Sequence, residues 1–471
     1  MPVRESDAAR APPAARAYAP RDPEESVVAR VVRDHLDQLR ERIAAADSES
    51  EDPHPGGDPA RLPAFVLREL RAIADCGDFT KGFVRLRCGT CRADRIVPFS
   101  CKGRLCPSCA GRRMAETAAW LVDRILRRDV GWRQWVFTFP APLAVGLCFR
   151  ADLAAAVTRV CVRVLADLQR ARAPAGAGLP LPTAIVFVQR FSDGLAPWLH
   201  LHVLAPDGVF RHDPRSCAVV FEPQPPPTPD EVAWSCRRIA ARVTALLRRR
   251  TATRLDHPLL ARCAEQPAHQ VRAPAPPPGR ARPANPLRSE HDGFTVHAAT
   301  AVPPNRPAEL ERLCRYLLRP AVPAERLRML PDGRVSLALK RPRGAVRELR
   351  FEPVAFLARL AALVPPPMFN MVRWFGPLSS ASPRRAAVLP DPPASTPDRP
   401  TAPPRPGRMS HADLLRRVFL IDLLACPCGG RLRQIAVITD PDIVQAILAA
   451  VILSHQAPAR APPERPHRSG P

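Results

Sequence analysis

Cys88-Gly-Thr-Cys91 and Cys106-Pro-Ser-Cys109 are two CxxC pairs separated by fourteen residues. Each pair can set two thiolates on one ion from a tight turn, and two pairs complete a tetrahedral sulfur site for zinc. Gly89 and Pro107 suit such turns. With all four positions filled the ion is structural, because no place is left for substrate. Cys76 and Cys101 are spare, and either could replace one of the four. Buried thiols without metal are the plainer explanation, but this doubled spacing rarely arises by chance. Arg85, Arg87, Arg92, Arg104 and Arg112 crowd the cluster, suiting either contact with phosphate or a solvated face.

A second set of residues is smaller. In Trp198–Leu204 the pattern His200-Leu201-His202 reads as strand, and side chains at i and i+2 leave the same face with roots roughly 6–7 Å apart. Two imidazoles can then converge on one divalent ion, although two half-buried histidines without metal would give the same letters. A metallohydrolase of HxHxDH type is excluded, since Val203-Leu204-Ala205 follow. Tyrosine occurs only at Tyr18 and Tyr316. Tyr316 stands in LERLCRYLLRP, where helical spacing puts Arg312 and Arg319 on its face and Arg315 beside it. A phenol among guanidinium groups suits a nucleophile that meets a phosphodiester, because the cations hold phosphate. The bland alternative is an amphipathic helix with a tyrosine at its boundary.

The elements that must position these residues follow from periodicity. Helices are expected at 26–45, 62–75 and 112–128, then a strand at 133–139, a helix at 150–172, and strands at 184–191 and 198–204 joined by a turn around Asp193-Gly194. A helix at 228–249 follows, then a strand near 294–301, the tyrosine helix at 307–319, a hairpin of 334–340 and 347–352, and a helix at 353–363. Pro, Ala and Arg dominate 264–290, read as a disordered insertion. The resulting division is a loose start (1–24), a helical and zinc-binding part (25–115), a catalytic part (116–365), a Pro-rich linker (366–408), a small unit (409–454) and a loose tail (455–471).

At 471 residues and 46% apolar composition the chain can build two or three cores. Its net charge of +25 points to a polyanion, nucleic acid first. Lys81, Lys102 and Lys340 are the only lysines, so part of that charge reflects an Arg/Ala/Pro bias. The start, MPVRESDAAR, reads as no signal peptide, and no stretch of about 20 apolar residues is uninterrupted, so neither secretion nor membrane insertion is expected. A cytoplasmic, nucleoid-associated protein is the expectation. Fourteen cysteines in such a chain suggest metal ligands rather than disulfides.

In this order the pieces resemble the rolling-circle transposases of the insertion sequence 91 family, nearest to the single-tyrosine branch of common-region (ISCR) elements. The resemblance covers roughly residues 25–450. It rests on RLRCGTCRADRIVPFSCKGRLCPSCAGRRMAETAAWLVD and LERLCRYLLRPAV, supported by FVLRELRAIADCG, RQWVFTFPAPL, QRFSDGLAPWLHLHVLAPDGVF, FLARLAALVPPP and CGGRLRQIAVITDP. It implies an endonuclease domain of the HUH type, with His200 and His202 as ligands of Mg²⁺ or Mn²⁺ and Tyr316 as nucleophile. The reaction implied is transesterification on single-stranded DNA at transposon termini and target, through a 5′-phosphotyrosine, without ATP. One tyrosine must serve both strands, by sequential use or by a homodimer. This chain departs from the family pattern: Arg312 replaces a second tyrosine, Ala196-Pro197-Trp198 replaces NLN, Met368, Asn370, Trp374 and Phe375 replace R-x-H and RYHG, and Cys426-Pro-Cys428 replaces a CxxC.

The expected fold class is α+β: an N-terminal helical zinc-binding module, an HUH-type nuclease with a mainly antiparallel sheet, and a small C-terminal appendage. Zinc is expected at Cys88, Cys91, Cys106 and Cys109, the catalytic metal at His200 and His202, and DNA contact at Arg312, Arg315 and Arg319. Two rivals remain: an inactive transposase copy, and a zinc-dependent DNA-binding regulator, which leaves Tyr316 and the histidine strand unexplained. For the third catalytic ligand the sequence offers only His297 and Gln189.

Overall fold

The computed structural model describes residues 18, 22–48, 61–174, 178–213, 215–216, 218–250, 258–272, 285–390 and 410–456. The chain is α+β and divides into two compact units, one of Ser26–Ala74 with Lys102–Met409, the other of Met1–Glu25, Asp75–Cys101 and Ser410–Pro471.

The larger unit is built on a six-stranded sheet in the order Arg288–His291, Phe294–Val302, Trp132–Thr138, Pro197–Pro206, Ala184–Phe191, Val372–Phe375. Every neighbouring pair is antiparallel. All of Ala184–Phe191 is buried, and in Pro197–Pro206 only Trp198 is not. The apolar run AIVFV and the leucines and valine of LHLHVLA encode strands with buried neighbours on both sides. Alternation along the second of these strands puts His200, His202 and Leu204 on one face and Leu199, Leu201 and Val203 on the other.

Packing on the histidine face places the tyrosine. The helix Pro307–Leu317 buries Leu310, Leu313, Cys314 and Leu317, and these join a core with Trp132, Phe187 and Leu204 of the sheet and Leu121 and Val122 of the helix Pro107–Arg124. Burial of each large apolar side chain contributes about 1.5–3 kcal/mol before conformational entropy is counted. On its exposed side the same helix leaves Tyr316 and Arg312. The helix Ala151–Arg172 packs against Pro229–Arg249, which lies on the strands Arg288–His291 and Phe294–Val302. Thr228 opens Pro229–Arg249 with a reciprocal capping box to Glu231. A second sheet, in the order Leu327–Met329, Val335–Arg343, Val346–Phe351, His269–Arg272, carries Lys340.

The smaller unit has a three-stranded antiparallel sheet in the order Leu432–Ile438, Phe83–Cys88, Asp94–Pro98. Asp94 holds both Arg85 and Arg87, so those two guanidinium groups are already paired. Gly82 has φ 108°, and a Cβ there would stand 2.6 Å from the Ile438 carbonyl oxygen; only glycine allows this approach. Leu86, Val97, Leu415, Leu423 and Leu432 form the core, with Tyr18 packed against it.

Several boundaries differ from the sequence reading. The appendage at 409–454 is not separate: it supplies an edge strand to the sheet of 83–98. Residues 25–115 do not form one module, because Ser26–Ala74 and Asp75–Cys101 belong to different units. The stretch read as linker contains Val372–Phe375, an edge strand paired with Ala184–Phe187. The ends of the 264–290 insertion form the strands His269–Arg272 and Arg288–His291. Residues 273–284, 391–409, 457–471 and most of 1–24, expected to be loose, lie outside the described residues.

Candidate functional site

His200 and His202 lie side by side with ring centroids 5.0 Å apart and ring planes 67° apart, and the Tyr316 ring is nearly perpendicular to that of His202 at 5.6 Å. The three residues that the sequence singled out for strand-cutting chemistry therefore meet. Both histidines are buried, which pushes His200 down to about 4 and His202 down to about 2, with the charge of Arg319 adding to both. The rings are neutral near pH 7, the form that ligates metal. His200 Nδ1–H donates to the Trp198 carbonyl at 3.2 Å, which leaves Nε2 as the lone-pair nitrogen. The Gln134 amide nitrogen, Nε2, stands 2.7 Å from His202 Nδ1. Buried His202 Nε2 has no hydrogen-bond partner among the described residues. As placed, that amide N–H donates to Nδ1; turned by 180° about its last bond, the amide presents its oxygen instead, Nδ1–H donates to it, and Nε2 keeps the lone pair that a cation needs. An orphaned nitrogen beside a second neutral imidazole fits a divalent metal.

Tyr316 is 40% exposed and lines an open groove. The Arg319 guanidinium lies 5.3 Å and the Lys340 ammonium 5.4 Å from its ring centroid. Tyr316, Arg312, Arg319, Lys340 and Arg341 line an open groove of about 1520 Å³ together with Gln134 and His297. Arg312 and Arg319 thus stand where helical spacing put them. Arg315 differs: it pairs with Glu311 one turn earlier on the same helix and is not among the groove residues. Lys340 was missed, because a lone lysine in a distant hairpin carries no local signature; the rarity of lysine here was the only available signal.

Neither candidate for a third ligand is free. Gln189, directly across from His200 on the next strand, donates to the carbonyls of Leu317 at 2.9 Å and Tyr316 at 3.5 Å and accepts from Arg319 Nε at 3.2 Å. It anchors the end of the tyrosine helix. His297 is aligned with Val136, which is aligned with His202, so its backbone is roughly 10 Å from that of His202. Its Nε2 lies 3.0 Å from the Asn285 amide nitrogen.

The cysteines are grouped differently from the spacing argument. The sulfurs of Cys88, Cys91, Cys426 and Cys428 all lie within 4.8 Å of one another. Cys106 and Cys109 are not members of this set; Cys106 caps the helix Pro107–Arg124 and Cys109 is in its first turn. A CxxC pair needs two further donors but nothing in its spacing says which, and strand pairing of Phe83–Cys88 with Leu432–Ile438 brings the distant pair. In the same unit, the Cys101 backbone N–H donates to Cys76 Sγ at 3.4 Å. Backbone N–H groups of Cys91 and Thr90 pull the Cys88 thiol down to about 6.

No helix among the described residues is long and apolar enough to cross a membrane. No curated protein and no solved structure matches the chain. Two family models do. The transposase model Y2_Tnp matches residues 184–386, which include both histidines and Tyr316. The transposase zinc-binding domain model Zn_Tnp_IS91 matches residues 50–139, which include Cys88, Cys91, Cys106 and Cys109. The two matches do not overlap and together span more than half of the chain, which belongs to the transposases of the insertion sequence 91 family.

Proposed function

We propose that this transposase cuts and rejoins single-stranded DNA through Tyr316, in rolling-circle transposition, as a single-tyrosine HUH nuclease. The observation that carries this reading is the meeting of a solvent-open tyrosine with two buried neutral histidines, one of which has an orphaned ring nitrogen. His200 and His202 would hold Mg²⁺ or Mn²⁺ through Nε2. When bound, that cation polarises the scissile phosphate and stabilises the charge that develops on it. Arg312, Arg319 and Lys340 hold the strand in the groove. The Tyr316 phenol gives up its proton to water as its oxygen attacks phosphorus, the bond from phosphorus to the 3′ oxygen breaks, and that oxygen takes a proton from water and leaves as a 3′-hydroxyl. The product is a 5′-phosphotyrosine, and attack by a 3′-hydroxyl of another strand reverses the step with no net change in phosphodiester bonds. With one nucleophile, donor and target strands are served in turn or by a homodimer. Zinc plays a structural part, consistent with the zinc-binding family match.

The test uses 5′- and 3′-labelled single strands, Mn²⁺, and the full chain. Wild type is expected to give a denaturation-resistant protein–DNA band that carries the 3′ label, because the protein is joined to the 5′ phosphate of the downstream fragment, while the 5′ label leaves on the piece that ends in a 3′-hydroxyl. Tyr316→Phe keeps the ring and its packing, binds DNA normally, and gives none. Tyr18, the other tyrosine, packs against the core of the smaller unit, whereas the histidines and Tyr316 belong to the larger one. A band that persists in Tyr316→Phe removes the assignment. No band from wild type across several candidate termini favours the second reading, a DNA-binding copy that no longer cuts, which Ala196-Pro197-Trp198 and Arg312 support by their departure from the family pattern.

A further inference from the structure

The set Cys88, Cys91, Cys426 and Cys428 lies only half inside the matched zinc-binding domain, since Cys426 and Cys428 are far beyond residue 139. Its geometry is that of a metal site. Cys88 Sγ is 3.6 Å from Cys428 Sγ, and Cys91 Sγ is 3.5 Å from Cys426 Sγ. Four thiolates at about 2.3 Å from a central zinc stand about 3.8 Å from one another in a tetrahedron. These separations are far too long for the S–S bond of about 2.05 Å.

The backbone around the sulfurs is shaped for them. Cys88 opens a turn closed by its N–H donating to the Ala93 carbonyl at 2.9 Å, and Thr90 N–H donates to Cys88 Sγ at 3.4 Å. Opposite it, Cys426 N–H donates to the Gly430 carbonyl and Gly429 N–H donates to the Cys426 carbonyl. Gly89 N–H then donates to the Arg431 carbonyl at 3.1 Å, which ties one turn to the other. Any side chain at Gly430 would meet Thr90 Oγ1 at 2.5 Å and Cys88 Sγ at 2.8 Å. The two-residue step Cys426-Pro-Cys428 binds zinc poorly alone, but here it faces a complete CxxC turn.

We infer that these four thiolates hold one structural zinc, and that the segment Ser410–Ile438 is half of the zinc fold rather than an addition to it. Zinc is the metal this donor set selects, because four sulfurs in a tetrahedron satisfy it without an open position. The inference does not rest on the nuclease reading, and its test reads metal and thiols, not cleavage.

The experiment uses purified full-length protein. Elemental analysis should show that Cys426→Ser/Cys428→Ser loses one equivalent of zinc, that Cys88→Ser/Cys91→Ser loses one equivalent, and that the fourfold variant loses the same one and no more. Two equivalents lost in the fourfold variant, or wild-type zinc in Cys426→Ser/Cys428→Ser, overturns the shared site. A measurement on wild type guards against unfolded variants. Cys91 and Cys428 are exposed, so as bare thiols they should alkylate quickly. Peptide mapping after iodoacetamide is expected to show both protected until a chelator removes the zinc. Rapid labelling of Cys428 while zinc stays bound, or a zinc-free protein four protons lighter than the reduced chain (two disulfides), counts against the proposal.

Discussion

His202 is oriented by one neighbour, the Gln134 amide 2.7 Å from its Nδ1. Partners of this kind fix the tautomer of a ligating imidazole, and losing one typically costs 10–100-fold in metal affinity. Gln134 is therefore a positioning residue for the proposed centre. Gln134→Ala should move the Mn²⁺ midpoint of cleavage upward by about 10–100-fold while the rate at saturating metal falls much less. Gln134→Glu, which keeps an acceptor at the ring, should restore the midpoint. A midpoint unmoved in Gln134→Ala would remove this role. The paired variant His200→Ala/His202→Ala should lose little more cleavage than either single change, because two ligands of one ion act as a unit. Full cleavage by either single variant would exclude a shared metal.

At the scale of elements, the tyrosine helix is held by its buried stripe and by Gln189 at its end. Leu317, 1% exposed, lies directly after Tyr316 and joins the core over Trp132 and Phe187. Leu317→Ala should cost about 2–5 kcal/mol in denaturant unfolding of the full chain, the usual range for a large buried aliphatic. A loss under 1 kcal/mol would mean that the helix is not seated on this core. How much of this was legible in the sequence depends on the range of the signal. AIVFVQRF, WLHLHVL and LERLCRYLLRP announce their elements locally, because a period of 2, or of 3.6, is written within one segment. Their faces follow from the same periods, which is why the His200–His202 pair and the positions of Arg312 and Arg319 could be read. The strand Val372–Phe375 follows a proline triplet and is only four residues long, so its composition reads as linker; pairing to Ala184–Phe187 makes it a strand. Gln134, Lys340 and the partners of Cys88 come from strands and turns whose neighbours no local pattern names.

For the whole molecule, internal ion pairs reduce the count of 70 basic side chains that are free for DNA and leave the net charge of +25 as it is. Arg133 with Asp207, Arg211 with Glu222 and Arg242 with Asp167 are internal pairs. Arg312, Arg319 and Lys340 instead line the Tyr316 groove. Single-strand binding should weaken with salt, log affinity falling by about 0.7 per phosphate contact for each tenfold rise. Arg312→Ala/Lys340→Ala should flatten that slope by about 1.4, two contacts' worth, with no change in zinc content. An unchanged slope would place the strand elsewhere. The meeting of Cys88 with Cys428 has a consequence in time. The two are separated by 340 residues. At about 5–20 residues per second, synthesis of that interval takes on the order of 20–70 s. For most of it Cys88 and Cys91 are outside the ribosome while Cys428 has not yet been made. The larger unit, whose last described residue is 390, can complete its sheet before the four sulfurs can gather. The N-terminal half of the smaller unit must therefore wait as open thiols, exposed to oxidants and to misplaced metal, until Cys426 and Cys428 have been made.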